Sequence, residues 1–163
     1  MRKFCAVGAG VGAGGVLLAV AGGSAAAGAA AAPEADLAYH GYVAMEGGRV
    51  DVRMTPRNHG PADVTDATVR LRWSAPLADR QELPEGCARA GARAVLCRTG
   101  ALAADDVGAE IRLRVRLAGA GVRVPAEVTL VIDTVWSGGA VDRNHQNDRR
   151  QVLALDTGDA YAF

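Results

Sequence analysis

Strict alternation of apolar and charged side chains is the feature that most constrains how this chain can fold. In residues 111–117, isoleucine, leucine and valine occupy the odd positions and arginine the even ones. Successive side chains of a β-strand point to opposite faces, so this stretch predicts a strand with its aliphatic side chains in the core and its arginines in solvent. The same alternation recurs at residues 49–56 and 65–73, on either side of a Gly-Pro turn at 58–61.

Two further apolar runs extend the strand pattern, at residues 126–136 and 151–155. With the other runs they predict an all-β chain that folds as an immunoglobulin-like antiparallel β-sandwich of about seven strands. The adjacent Val131 and Ile132 break the alternation, which predicts either a bulge or burial on both faces at that point. The large aromatic candidates for the core are Trp73 and Trp136.

The beginning of the chain has the three-part composition of a secretory signal peptide. Arg2 and Lys3 precede an apolar run at residues 6–21, and small residues follow it. The run is too short and too rich in glycine for a membrane span, which needs about 20 mainly apolar residues. We therefore expect a cleavable signal peptide at 1–31, release of a secreted, extracellular protein, and no membrane span after processing.

The remainder of the chain divides into three stretches. Residues 32–48 alternate only loosely and predict a lead-in or edge strand, and residues 49–156 hold the sandwich. Residues 157–163 carry no strand pattern, so we expect a flexible tail there.

Two cysteines, Cys87 and Cys97, remain after loss of the signal peptide, which would take Cys5 with it. Thiols of a protein sent to an oxidising compartment are normally paired, so we expect a disulfide between them that closes a short hairpin. A metal site is the weaker alternative, because the spacing is not C-x-x-C and no histidine lies close in sequence.

The charge balance bears on the choice of partner. Residues 32–163 contain 16 arginines and 18 acidic residues, which gives a net charge of −2. A chain so close to neutrality has no global field that would draw it to nucleic acid or to an anionic membrane. We therefore expect no nucleic-acid partner.

Four short motifs follow one another in the order found in a known domain family. They are Asn58-His59-Gly60-Pro61 (N-x-G-P), Leu83-Pro84-Glu85-Gly86 (L-P-x-G), Cys97-Arg98-Thr99-Gly100-Ala101-Leu102 (C-x-x-G-x-L) and Asn144-His145-Gln146-Asn147-Asp148, which is close to N-x-x-N-N. Over residues 49–156 the chain resembles the conserved-repeat immunoglobulin-like domain of bacterial and archaeal surface and secreted proteins. The resemblance implies a sandwich fold and a cell-surface setting, and it carries no catalytic residues. The chain departs from the family in Asp148 and in having one copy of a domain that is often repeated in tandem.

Residues suited to catalysis are few and scattered. The serines after the signal peptide, Ser74 and Ser137, lie outside any G-x-S-x-G motif, and His40, His59 and His145 lie on separate turns or edges. Nucleophilic catalysis needs a serine and a histidine in hydrogen-bond reach, which this distribution does not favour. We therefore expect a protein that is not an enzyme and that needs no cofactor.

The densest group of oxygen-bearing side chains consists of Asp142, Asn144, Asn147 and Asp148. Such loops can supply the six to eight oxygens that Ca²⁺ prefers. Asn and Asp also bond their own backbone in turns, and this structural role is the favoured interpretation.

Arg112, Arg114 and Arg116 should share one face of their strand, with Arg70 and Arg72 as possible neighbours. Such a ridge is suited to sulfated or phosphorylated polymers. The favoured alternative is a solvated sheet face whose arginines pair with acidic side chains and discourage edge aggregation.

These features favour a secreted, non-catalytic immunoglobulin-like module that binds an unknown protein or a cell-surface glycan. The alternative is a secreted inhibitor or effector that uses the disulfide-closed loop at 87–97, because a preorganised loop loses less entropy on binding. An enzyme is the third and least favoured possibility.

Overall fold

Two antiparallel β-sheets face each other across a core of aliphatic side chains. The structure is a computed structural model that describes residues 31–120 and 123–163, and these residues form twelve strands. The signal peptide expected at 1–31 lies outside this part of the chain except for its last residue. The strands are β1 (Glu34–Ala35), β2 (Leu37–Glu46), β3 (Arg49–Asn58), β4 (Thr68–Trp73), β5 (Cys87–Arg89), β6 (Ala94–Arg98), β7 (Asp106–Val107), β8 (Ile111–Arg116), β9 (Glu127–Trp136), β10 (Val141–Asp142), β11 (Arg149–Leu155) and β12 (Ala160–Ala162).

The first sheet has the order β12-β2-β3, with β8 and the short β7 both paired to the far side of β3. The second sheet has the order β11-β9-β4-β6-β5, and β1 and β10 form a separate parallel pair. Consecutive strands cross between the sheets at β3 to β4, β6 to β7, β8 to β9 and β11 to β12, and the first three crossings give the Greek-key connectivity of immunoglobulin-like sandwiches. The predicted fold class is confirmed.

The alternating strand at 111–117 lies as its pattern predicts. Leu113, Val115 and Leu117 are buried against the second sheet, while the arginines between them are exposed. Val50 and Val52 of β3 stand directly opposite Val115 and Leu113, so the two strands present one continuous aliphatic surface to the core. The period of two therefore specifies both the strand and its buried face.

Both ends of the chain differ from the sequence-based expectation. The lead-in is no edge strand, because the ten-residue β2 lies between β12 and β3 in the first sheet. The tail expected to be flexible pairs with β2 through β12, and Phe163 exchanges two backbone hydrogen bonds with Gly41. Tyr161 and Phe163 also pack against the core. A strand of three residues is too short to show alternation, which is why the prediction at 157–163 was wrong.

The two tryptophans have opposite environments. Trp73 is 1% exposed in the core, but Trp136 is 51% exposed, so its predicted core position was wrong. The pairing of β4 with β9 shifts by one residue at Val135, and this irregularity ends the alternation before Trp136. Val131 and Ile132 are both buried, so burial on both faces, and not a bulge, explains their adjacency.

Asn58 is fully buried at the end of β3, and its side chain ties three segments together. Its Oδ1 accepts hydrogen bonds from Gly60 N at 2.9 Å and from Asp36 N at 3.2 Å. Its Nδ2 donates to the carbonyl oxygens of Ala62 at 2.8 Å and Ala103 at 3.1 Å. The amide thus uses its full donor and acceptor capacity on backbone groups that are far apart in sequence.

A small second core lies beside this amide, under the loops at that end of the sandwich. It consists of Ala35, Leu37, Val64, Ala67, Leu102 and Ala140. Gly60 packs so closely on this region that a Cβ there would lie 2.5 Å from the Cα of Ala35. Glycine is therefore required at this position by the close approach of two backbones.

The hairpin of β5 and β6 contains the predicted disulfide. Cys87 and Cys97 are direct partners in the ladder, and their sulfurs are bonded. The tip of the hairpin is fastened as well as its base. The Arg89 guanidinium donates to the carbonyl oxygens of Leu77, Asp79 and Gly91, so the hairpin is held against the connection between β4 and β5.

Replacing Asn58 by alanine should lower the free energy of unfolding by about 3 to 5 kcal/mol, because several buried backbone groups lose their partners together. The exposed neighbour provides the matched control, and His59→Ala should change stability by less than about 0.5 kcal/mol. Urea denaturation of both variants checks this. Similar losses at the two positions would contradict the role given to the Asn58 amide.

Removing both sulfurs in Cys87→Ala/Cys97→Ala should lower stability by about 2 to 4 kcal/mol, because the unfolded chain loses a covalent constraint. The β signal in far-ultraviolet circular dichroism should survive at low temperature, since Cys97 is one buried member of a core that consists mainly of aliphatic side chains from both sheets. Peptide mapping without reductant tests the premise, and two free thiols or a bridge to another chain would refute it.

Candidate binding surface

The outer side of the first sheet carries a concentration of arginines. The register places Arg53 opposite Arg112 and Arg49 opposite Arg116 across the β3–β8 pair, with the Asp51–Arg114 pair between them. The predicted arginine row on β8 is therefore exposed, and β3 contributes two more arginines to it. We call these residues of β3 and β8 the arginine face.

Two arginines of β8 are neutralised by neighbouring carboxylates. The Arg114 Nε donates to Asp51 Oδ1 across the strand pair, and Arg112 pairs with Glu110. Hydrogen bonding to Glu110 raises the pKa of the Arg112 guanidinium above its usual range. Exposed pairs of this kind contribute little to stability, and they match the solvated-face interpretation for these two positions.

Arg49 and Arg116 differ from those two residues. Throughout residues 31–120 and 123–163, no carboxylate oxygen lies within 4.0 Å of either guanidinium. Like charges placed directly opposite each other across a strand pair are destabilising. This pair therefore leaves unneutralised positive charge at one end of the arginine face.

A segment of the connection between β4 and β5 forms a wall beside this pair. The Gln81 side chain donates from Nε2 to Arg116 O at 2.8 Å and accepts from Arg116 N at 2.9 Å. The carboxamide thus pairs with the edge of β8 as a neighbouring strand would. Next to it, Leu77 and Leu117 form an antiparallel bridge that fixes the start of the same segment.

An open cleft of about 950 Å³ lies between this wall and the sheet. It is lined by Arg49, Asp79, Arg80, Gln81, Glu82, Arg114 and Arg116. A smaller depression of about 430 Å³ adjoins it and shares Arg49 and Arg116 with it. We call the two together the arginine groove.

At the other end of the arginine face, Tyr42 adds an aromatic surface. The Arg53 guanidinium carbon lies 5.7 Å from the centre of the Tyr42 ring, which is within the range of a cation–π contact. The face therefore combines guanidinium groups with one partly exposed aromatic side chain.

Arg70 and Arg72 do not extend this face. Both lie on β4 in the second sheet, so their predicted proximity to the β8 arginines was wrong. Arg70 instead pairs with Asp133 of β9, and hydrogen bonding to that carboxylate raises the pKa of the Arg70 guanidinium. The two sheets place the arginines of β4 and β8 on opposite sides of the sandwich.

The loop with Asp142, Asn144, Asn147 and Asp148 is held together by its own hydrogen bonds. The Asp142 carboxylate accepts from Leu37 N at 2.7 Å and from Asn144 N at 2.9 Å. Asn147 Nδ2 donates to Asp36 Oδ1 at 2.7 Å, which joins the loop to the start of β2. Within the part of the chain that the structure describes, no group of three His, Cys, Asp or Glu residues is placed to hold a metal ion.

Asp148 has a different partner from its neighbours. Its Oδ2 lies 3.1 Å from His145 Nδ1, and this hydrogen bond raises the pKa of the exposed imidazole. His145 has no serine partner among the hydrogen bonds of residues 31–120 and 123–163; Ser137 donates to Ala140 O, and Ser74 accepts from Thr129 N. Both serine side chains therefore form hydrogen bonds with backbone groups of a loop or a sheet.

Tyr39 is a buried titratable group between the sheets. Its hydroxyl lies 2.7 Å from Thr134 Oγ1 of β9, and burial raises the pKa of this phenol to about 12. It therefore stays neutral at physiological pH and acts as a polar link between β2 and β9.

Several residues that line the groove were not predicted as site residues from the sequence. Arg49 lies on a correctly predicted strand, but alternation within a strand does not reveal which residue stands opposite. Arg80 and Gln81 come from an irregular connection whose path depends on tertiary contacts. The available signal was the density of polar residues at 79–82, which has no periodicity and is equally typical of a solvated loop.

No helix within residues 31–120 and 123–163 is long and apolar enough to cross a membrane. Comparison with protein-family models, curated proteins and solved structures gives no match for this chain.

Proposed function

We propose that this protein is a secreted, non-catalytic immunoglobulin-like module that binds a component of a cell surface through the arginine face. The observation that carries the proposal is the Arg49–Arg116 pair, two like charges that stand opposite each other without a carboxylate within 4.0 Å in the described part of the chain. A partner that supplies negative charge would relieve this repulsion. On the rest of the face, Arg112 and Arg114 are paired with carboxylates, which limits attraction to the arginines that have no ion pair.

Secretion is proposed on two grounds. Residues 1–31 have the composition of a signal peptide, and the Cys87–Cys97 disulfide is typical of proteins that fold in an oxidising compartment. The backbone is already engaged from Pro33 onward, because Pro33 O accepts from Val141 N at 2.8 Å. Cleavage before this residue would release the complete sandwich.

Membership of the conserved-repeat immunoglobulin-like family is likewise a proposal. Its support is that each of the four motifs has a structural role in this chain. Asn58 closes the first turn, and Gly86 and Gly100 adopt positive φ in the second and third. Asn147 of the fourth fastens its loop to Asp36. Residues with such roles stabilise the turns and loops of the domain, which is what shared motifs of one fold would be expected to do.

The alternative function, a disulfide-closed loop that inserts into a partner, gains no support from the hairpin geometry. The tip residues around Gly91 are exposed, but the hairpin is fastened on both sides of them. Arg89 donates to the carbonyl oxygen of Asp79 in the β4–β5 connection, and Arg93 O accepts from Trp73 N of β4 at 2.9 Å. A loop held against its own domain projects little into a partner. The hairpin therefore serves to stabilise the wall beside the arginine groove.

The N-terminus of the secreted protein should lie between Ala26 and Glu34. Cleavage further along the chain would remove Ala35, which is 1% exposed and packs in the second core. Intact-mass measurement of protein recovered from the medium locates the bond. Retention of Met1 in the secreted form, or a mature chain that begins after Glu34, would contradict this proposal.

The binding role is tested with intact cells of the producing organism. Charge reversal in Arg49→Glu/Arg116→Glu should reduce retention of the labelled protein on the cells by about tenfold or more, because attraction becomes repulsion at the contact. The matched control reverses two exposed arginines outside the face, Arg93→Glu/Arg149→Glu, and should retain binding within about twofold. Equal loss in both variants would show that net charge alone governs retention.

A further inference from the structure

We infer that the arginine groove is a binding site for an acidic polysaccharide, a polymer of sugars that carry carboxylate or sulfate groups. This inference rests on the proposed binding function and names its ligand class. Four properties of the groove carry it: guanidinium groups without ion pairs, carboxylates beside them, a second cleft that adjoins the first, and a fixed wall.

The guanidinium groups provide the anion contact. Arg49 and Arg116 come from paired strands, and Arg80 reaches the same cleft from the opposite wall. None of the three has a carboxylate oxygen within 4.0 Å in the described residues. The planar guanidinium matches carboxylate and sulfate oxygens with paired N–H donors, so three such groups around one cleft favour an oxyanion.

The carboxylates of the same cleft distinguish a sugar from a simple polyanion. Asp79 and Glu82 line it together with the arginines, and neither forms a side-chain hydrogen bond or ion pair within residues 31–120 and 123–163. A polyphosphate has no donors to offer them and would be repelled. A sugar offers hydroxyl donors to the carboxylates while its acidic group contacts the arginines.

The shape favours a polymer over an isolated ion. The cleft of about 950 Å³ shares Arg49 and Arg116 with the depression of about 430 Å³, which is also lined by Glu46. Arg49 and Arg116 thus line two clefts, and each cleft is lined by both arginines and carboxylates. Successive residues of an extended chain could therefore repeat the same pair of contacts along the groove.

The wall is fixed before any ligand arrives. Gln81 pairs with both backbone groups of Arg116, and the adjoining Leu77–Leu117 bridge joins the wall to the end of β8. The two walls therefore need little ordering on binding, which lowers the entropy cost of association.

Titration of the mature protein with defined polymers tests the inference. Dextran sulfate and polygalacturonate provide sulfated and carboxylated sugars, neutral dextran lacks the charge, and inorganic polyphosphate has the charge without the hydroxyls. Calorimetry or fluorescence anisotropy at fixed ionic strength should show binding to at least one acidic sugar polymer, and the stronger of the two identifies the acidic group. Binding of neutral dextran or polyphosphate should be at least about tenfold weaker.

Variants assign the binding to the groove. Arg49→Gln/Arg116→Gln should weaken binding of the acidic sugar polymer by about tenfold or more, while Arg93→Gln/Arg149→Gln, which removes the same charge elsewhere, should change it by less than about twofold. Asp79→Asn/Glu82→Gln separates the two polymer classes. It should weaken acidic sugar binding through loss of hydroxyl acceptors and strengthen polyphosphate binding through loss of repulsion.

Three results would overturn the inference: no binding of either acidic sugar polymer, binding of polyphosphate as tight as theirs, or equal loss in the groove and control variants. Failure of this inference differs from failure of the proposed function. Cell retention that depends on Arg49 and Arg116, with no affinity for either sugar polymer, would leave the binding function intact and reject the ligand class. Cell retention that is unaffected by the groove variants, together with no affinity for either sugar polymer, would reject both.

Discussion

The buried carboxamide of Asn58 is the interaction on which the loop end of the sandwich depends. A buried polar side chain is costly unless all its hydrogen-bonding groups find partners, and here the partners are backbone groups of three different segments. The amide therefore fixes the relative positions of the turn after β3, the start of β2 and the loop before β7. The second core can form only when these segments are in place.

Electrostatics in this protein are local. The net charge after residue 31 is −2, yet the arginine groove concentrates basic side chains on one edge of the first sheet. Most of the other exposed arginines on that face are compensated by a cross-strand or adjacent carboxylate, as at Arg114 and Asp51. Recognition at the groove would therefore act at short range and fall as salt screens the contact, without long-range attraction of polyanions in general.

Sequence analysis recovers what depends on local periodicity. The strand at β8, its buried face and the sandwich class follow from a period of two, and the disulfide follows from cysteine count and compartment. It fails where a residue's environment depends on distant pairing. The strand β12 exists because β2 offers it a partner, and Trp136 is exposed because the β4–β9 register shifts beside it. Sequence analysis did not predict the arginine groove for the same reason. The groove lies between a strand pair and a connection that is held against β8 by Gln81.

The Gln81 carboxamide also has a consequence for the protein in concentrated solution. β8 lies at the border of its sheet, and an uncovered border strand offers unpaired N–H and C=O groups on which a strand from another molecule can add. At Arg116 both groups are occupied by one side chain of the same molecule. Ala78 N also donates to Arg116 O, and the Leu77–Leu117 bridge covers the next position. Gln81 and the backbone beside it thereby close this part of the border to intermolecular sheet extension, without an apolar cover over the arginines.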